Sequence, residues 1–353
     1  MKKIQLLGLL TLAGIGVVAA LTLNSKFRIY SGKGFTRIFL PHAVSAYSFF
    51  DLPQAKSYIS GVDSTSVYIS SISDPFSVLS ITSKDHSLKK NTIQLSEKQR
   101  SDVKNLDRAR VAVFPPYFYV FNGTAPYIFE GEVSTWKAIR LPAPPYYSEI
   151  IPFSPSTFVF RGVQKKDRHS VLGKWQSGMG EPVLAPTLLE AQVDGIFCVD
   201  GKLIFNKSSN TLVYLYHHRN QYFLIDTTLR LLKRFHTIDT TSIAQIRVTK
   251  GEAGNTRYLS SPPAPVNQLG KVWQNFLLVN SAVIAENENR NQFKHAAVID
   301  VYDLTEGNYL FSFYLKGPTE SKMTDFAITD SGHLAGLFGQ RLTFFSLGSV
   351  WQK

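Results

Sequence analysis

The chain has 353 residues, of which 44% are hydrophobic and 13% aromatic, enough apolar material for a large core, so global disorder is excluded. Its 38 Lys and Arg against 26 Asp and Glu leave a formal net charge of +12, and its single Cys excludes an internal disulfide framework or a thiolate metal cluster within one chain. The basic residues fall in short mixed groups such as Lys165-Lys166-Asp167-Arg168 and Arg230 to Arg234, without the long basic arm or motif of a nucleic-acid binder.

The N-terminus is a separate object. Met1-Lys2-Lys3 precedes Ile4 to Leu23, twenty residues with no charge. At 1.5 Å per residue such a stretch makes about 30 Å of helix, enough to cross a bilayer core. Residues 1–24 are therefore expected to be a transmembrane signal anchor that attaches the protein to the membrane through residues 4–23. A cleaved signal peptide is the alternative, with weak small-residue patterns at Val17 to Ala20. Residues 25–34 follow as a linker. Lys26, Arg28, Lys33 and Arg37 lie after the apolar segment against Lys2 and Lys3 before it, so straight charge counting places the C-terminal body inside. A short n-region before a long folded body still reads as an exported body: an inner-membrane, single-pass protein with its domain on the periplasmic side, or a secreted one after cleavage.

From residue 35 onward, short apolar runs of period 2, rich in Val, Ile, Tyr and Phe, are punctuated by turn residues, which is an all-β pattern. Only Ser96–Arg108 suggests a short polar helix. A strand–turn–strand segment recurs at Ser77–Leu95, Tyr127–Leu141, Ser170–Ala185, Tyr222–His236 and Ala297–Leu315, and a sixth begins at Arg341. Two more strand candidates precede each hairpin, among them Ile196–Val199 and Leu203–Phe205. The spacing fits four-stranded blades of about 40–50 residues. The expectation is an all-β, six-bladed β-propeller over residues 35–353, with a loop insertion at about 250–270. The sixth copy lacks its outer strand, and Phe35–Pro41 resembles the outer strands of other copies, so it is expected to pair with Arg341–Leu347 and close the ring.

These repeats, the insertion before the fifth hairpin and the VIDVYDL…YLFSFYL segment resemble TolB-like six-bladed β-propeller proteins of the Bacteroidota. The resemblance spans roughly residues 35–347 and implies the fold together with an exported or membrane-anchored setting. The chain departs from lipoprotein members by having no Cys at the end of its apolar segment.

Motifs for chemistry are sparse. The eight His include no H-E-x-x-H, and the neighbours His217 and His218 would face opposite sides of a strand. No metal site and no cofactor are expected. Cys198 reads as a buried strand residue. Nucleophile-elbow, Walker and dinucleotide motifs do not occur. The loops joining second and third strands, Gln164–His169, His217–Gln221 and Glu286–His295, each hold an Arg and a His. Arg168 with His169, His218 with Arg219, and Arg290 with His295 are the candidate ligand-binding residues, placing cations on one face for an anionic small molecule or an acidic protein partner. The functional expectation is a non-catalytic binding propeller held at the membrane. A propeller-type hydrolase or lyase, lactonase-like, with its site in the central funnel is the alternative.

Overall fold

The computed structural model describes residues 14–16, 30–31 and 34–352, apart from 86, 102–105, 143–145, 165, 251–256 and 319–320. The chain divides into two compact parts, Met1–Tyr30 and Ser31–Lys353. Of the first, Gly14–Gly16 is helical and exposed. The rest of the expected anchor lies outside the described residues, among which no helix is long and apolar enough to cross a membrane.

The second part is built from four-stranded antiparallel modules. Module one holds Ser57–Val62, Ser66–Ser71, Ser77–Thr82 and Leu88–Thr92. Module two holds Arg110–Phe114, Tyr117–Asn122, Tyr127–Glu132 and Ala138–Leu141. Module three holds Tyr147–Ser154, Thr157–Val163, Ser170–Gln176 and Val183–Ala185, and module four Gly201–Asn206, Thr211–Tyr216, Gln221–Asp226 and Leu231–His236. Module five holds Asn267–Trp273, Phe276–Ser281, Ala297–Asp303 and Tyr309–Leu315. Module six joins Met323–Ile328, Leu334–Phe338 and Arg341–Leu347 to the N-terminal strand Val44–Asp51. The recurring hairpins of the sequence are the third and fourth strands of these modules. The polar stretch near residue 100 supplies helical turns at Glu97–Ser101 and Leu106–Arg108.

Stacking of modules explains the composition of the middle strands. In module four, Leu212, Tyr214 and Tyr216 pack toward Val159 and Leu172 of module three. Val213 and Leu215 point the other way, toward Leu277, Val279 and Tyr302 of module five. Alternate side chains leave opposite faces of a strand, so a strand covered on both faces is apolar throughout, as TLVYLY is. The fourth strand Leu231–His236 is mostly exposed and carries Lys233 and Arg234.

First strands lie side by side between modules six and one, one and two, three and four, four and five, and five and six. Between modules one and two they touch as a parallel pair, Gly61 opposite Val113. A Cβ on Gly61 would collide with the Val113 carbonyl oxygen.

The last module does borrow an N-terminal strand, but not the expected one. Val44–Asp51 pairs antiparallel with Arg341–Leu347, from Val44 opposite Leu347 to Asp51 opposite Arg341. The Arg341 guanidinium forks the Asp51 carboxylate at 2.5 and 2.9 Å. Phe35–Pro41 runs beside the outer strand of module five instead, with Phe39 opposite Ser312 in parallel sense. Ser312 N–H donates to the Ile38 carbonyl at 2.8 Å. The reason is Arg37, which is 3% exposed and needs buried carboxylates, and these stand on and beside module five. A turn at Pro41 and His42, the latter in the left-handed region (φ 57°), separates the two segments. Trp351 then fastens the C-terminus, its indole N–H donating to the Ala43 carbonyl at 2.9 Å and its ring packing on Phe311 and Phe276.

Two finer expectations also change. Ile196–Val199 is a turn, because Asp194 accepts the N–H groups of Phe197 and Cys198 at 3.0 and 2.9 Å and Gly195 takes φ 84°. Cys198 is fully buried as expected, but in that turn, where its sulfur accepts the Gln192 N–H at 3.3 Å. The insertion forms a small hairpin, Val248–Lys250 against Arg257–Leu259, in the connection from module four to module five.

Candidate functional site

An antiparallel module puts its second-to-third loop and the connection to the next module on one face. The other two loops fall on the opposite face. The candidate loops of modules three, four and five therefore share a face with connections 186–200 and 237–266.

The six candidate residues are placed very differently on that face. Arg168 is exposed, with its backbone in the left-handed region at φ 59°. His169 is half-exposed, its Nδ1 3.7 Å from the Asp167 carboxylate, and its ring packs beside Gly195. Arg290 is exposed at the start of a helical turn, Arg290–His295, capped by the Asn289 side chain. His295 bonds back to the Asn291 carbonyl at 2.8 Å within that turn. His218 is buried and donates from Nδ1 to the Ala264 carbonyl at 3.0 Å. Its neighbour His217 donates to the Asn267 carbonyl at 2.8 Å, so the two rings serve separate carbonyls. Burial lowers the His217 pKa below the usual imidazole value.

Arg219 is 1% exposed, among the largest fully buried side chains of the protein. Its guanidinium lies over the Tyr216 ring at 3.6 Å and donates from Nη1 to the Glu190 carbonyl at 2.9 Å. The residue that accompanies it is Arg234, within module four's outer strand, opposite Phe223. Arg234 stacks over Phe223 at 4.9 Å and donates from Nη2 to the Leu188 carbonyl at 3.1 Å. The same nitrogen pairs with Glu190 Oε1 at 3.0 Å. Two cations thus hold one stretch of the 186–200 connection, Leu188–Glu190. Burial raises the Tyr216 pKa, and the nearby Arg219 and Arg234 charges oppose that rise.

Beside this stretch, Ala191, Gln192, Val193 and Asp194 form one wall of an open cleft of about 420 Å³, with His169, Val248 and Arg257 also lining it. Arg257 donates to the Asp194 carbonyl at 2.5 Å.

A second polar group sits on and beside the first strands of modules three to six. Lys202 of module four lies 2.8 Å from Glu149 of module three as an ion pair without good hydrogen-bond alignment. Lys271 of module five pairs with Asp325 of module six at 3.0 Å. Arg161 pairs with Asp200 at 2.5 Å and donates to Tyr214 Oη at 2.9 Å. The Glu149 carboxylate attracts the Lys202 proton and raises its pKa. These acids also join modules through backbone: Glu149 accepts Leu203 N–H at 3.2 Å and Asp325 accepts Ile59 N–H at 3.1 Å. Sequence motifs did not find this group. Its signal is one charged side chain within the otherwise apolar first strands of modules three to six, as in YSEIIPF, GKLIF, LGKVW and MTDFAI.

Among the described residues, no group of three or more His, Cys, Asp or Glu is placed to hold a metal ion.

No protein-family profile matches the chain, and no curated protein matches it in sequence. Solved structures do match. A member of the DUF4221 family from Bacteroides vulgatus aligns over 86% of this chain and 97% of its own, at 10% identity and TM-score 0.53. A streptogramin B lyase aligns over 86% of this chain and 98% of its own, at 10% identity and TM-score 0.50. At this identity the likeness is one of fold. With four-stranded antiparallel modules and first strands side by side, the fold is an all-β propeller.

Proposed function

We propose that the protein is a six-bladed, TolB-like binding propeller, exported and held at the membrane through residues 4–23. It recognises an anionic ligand or acidic partner on the face bearing the second-to-third loops of modules three to five. The observation that carries this reading is that the loops bearing Arg168, His169, His218, Arg219, Arg290 and His295 open on one face, where Arg168 and Arg290 are exposed while His218 and Arg219 are buried beneath it. The six modules, the side-by-side first strands and the borrowed strand of module six support the blade count. The uncharged run from Ile4 to Leu23 supports the anchor.

The polar group on the first strands supports binding over funnel chemistry. Glu149, Asp200 and Asp325 are each paired with a cation, and each also accepts a backbone N–H group. Oxygens so engaged fasten neighbouring modules to one another instead of standing open toward a funnel ligand.

Binding of poly-L-glutamate to the full chain in detergent micelles tests the reading. Arg168→Glu with Arg290→Glu should weaken binding about tenfold or more, by removing two cations and adding two like charges. Lys207→Glu with Arg230→Glu, on loops of the opposite face, should leave it nearly unchanged. Equal loss from both pairs would reduce the effect to net charge. The address is tested separately: carbonate-washed membranes should retain the protein, and protease added to spheroplasts should digest the propeller.

A further inference from the structure

We propose that Arg219 and Arg234 form a buried site for a tetrahedral oxyanion, phosphate or sulfate, beneath Leu188–Glu190. The proposal rests on the reading of this face as the binding surface and names the chemistry of one place on it.

The argument begins with nitrogens that have no acceptor. Arg219 uses Nη1 on the Glu190 carbonyl, while its Nε and Nη2 are buried with no hydrogen-bond partner among the described residues. Arg234 uses Nη2 on Leu188 and Glu190, while its Nη1 is likewise buried and without a partner there. Nε and Nη2 form the side-on edge of a guanidinium, the edge that receives two oxygens of a carboxylate or phosphate. A buried donor left without an acceptor costs free energy, more so when charged.

Geometry keeps these donors in place. Arg219 is stacked on Tyr216 and Arg234 on Phe223, and the two rings lie 5.8 Å apart. Both side chains meet Glu190, Arg219 at its backbone carbonyl and Arg234 at its carboxylate, so their remaining N–H groups belong to one neighbourhood. Charge selects the occupant. Arg234 pairs with the Glu190 carboxylate, whose side chain is 55% exposed and therefore largely hydrated, while Arg219 meets the Glu190 backbone carbonyl and no carboxylate among the described residues. The surplus is positive. Three donors on two planes suit an acceptor with oxygens in three dimensions. The competing occupant is ordered water, which supplies acceptors to the same buried nitrogens without adding charge.

Thermal unfolding of the full chain in detergent micelles decides between them. Inorganic phosphate, glycerol 3-phosphate and chloride are compared at matched ionic strength. Phosphate should raise the midpoint saturably, by about 3–6 °C at saturation, with chloride giving no such rise. An equal rise with glycerol 3-phosphate identifies the ligand as a phosphate ester group; a rise with inorganic phosphate alone identifies the free ion. Arg234→Gln should weaken phosphate binding about tenfold or more, as loss of a charge-assisted contact does. Arg219→Gln should do the same. If Arg219→Gln fails to fold, Arg234→Gln still decides, because its side chain already reaches solvent. A phosphate effect no larger than chloride's, or one retained in Arg234→Gln, overturns the proposal. The Arg168→Glu, Arg290→Glu variant should lose poly-L-glutamate yet keep the phosphate response, so failure of the oxyanion site and failure of the binding face are told apart.

Discussion

Arg37 and Asp300 form a two-pronged pair, Nε to Oδ1 at 2.7 Å and Nη2 to Oδ2 at 3.0 Å, both side chains nearly without solvent. Glu288 closes on the same guanidinium, and Tyr314 and Ser312 hydroxyls donate to the two acids. One inward charge thus decides where the segment after the N-terminal part docks. Replacing Arg37 by Ala would leave buried carboxylates uncompensated, at a cost of about 3–5 kcal/mol. Urea unfolding should show that loss, and a midpoint within error of the parent would mean the pair contributes nothing.

Closure depends on Val44–Asp51 rather than on Phe35–Pro41. Removing residues 1–30 should leave a folded propeller, whereas removing residues 1–51 strips the outer strand from Arg341–Leu347 and exposes an unpaired sheet edge. Circular dichroism and gel filtration of both truncations check this. A monomeric, cooperatively unfolding protein lacking residues 1–51 would contradict the closure.

Gly61 marks the closest approach of modules one and two. Gly61→Ala should destabilise by about 2–3 kcal/mol or more, since the obstacle is the Val113 backbone carbonyl rather than a movable side chain. Gly178→Ala makes the comparison, because its Cβ would enter open space and only its backbone (φ 79°) resists. The first change should lower the melting midpoint more than the second.

At Glu149 two roles can be separated. Glu149→Gln keeps an acceptor for the Leu203 N–H but loses the charge that faces Lys202, a half-exposed partner, so it should cost under about 1 kcal/mol. Glu149→Ala loses both and should cost about 1–3 kcal/mol more. Equal costs would show that the backbone contact is immaterial.

Asp194 gives a pH signature. Burial pushes its pKa up, but the Cys198 and Phe197 N–H groups outweigh this and hold it below the usual carboxylate value. A carboxylate with a depressed folded-state pKa stabilises the protein above its unfolded value, near 4, and that contribution disappears as pH falls through the folded value. Asp194→Asn should therefore flatten the acid limb of stability measured from pH 7 to pH 3. An unchanged slope would assign that limb to other acids, such as Asp226, which Thr228 and Arg230 hold low against the opposing effect of burial.

Much of the architecture was legible because stacked sheets bury whole strands and leave turns polar: TLVYLY and AVIDVYD announce middle strands at once. The closing strand was not. Its pattern, VSAYSFFD, is that of an outer strand with little to bury, and local resemblance favoured Phe35–Pro41, whose Arg37 finds its partners some 250 residues away. The candidate face was legible in outline, since Arg and His recur in successive second-to-third loops. Arg234 was not, because its link to Arg219 runs through Glu190 and through ring stacking across strands, which leaves no local spacing to read. Ile196–Val199 misled in the same way: it is apolar enough for a strand, but Asp194 and Gly195 impose a turn.

Hydrogen–deuterium exchange of the full chain, with and without poly-L-glutamate, tests the binding face most directly. Ligand should slow exchange in residues 164–169, 186–200, 217–221 and 286–295 and leave the opposite-face loops 206–211 and 226–231 unchanged. Protection confined to those opposite loops, or spread evenly over both faces, would contradict it.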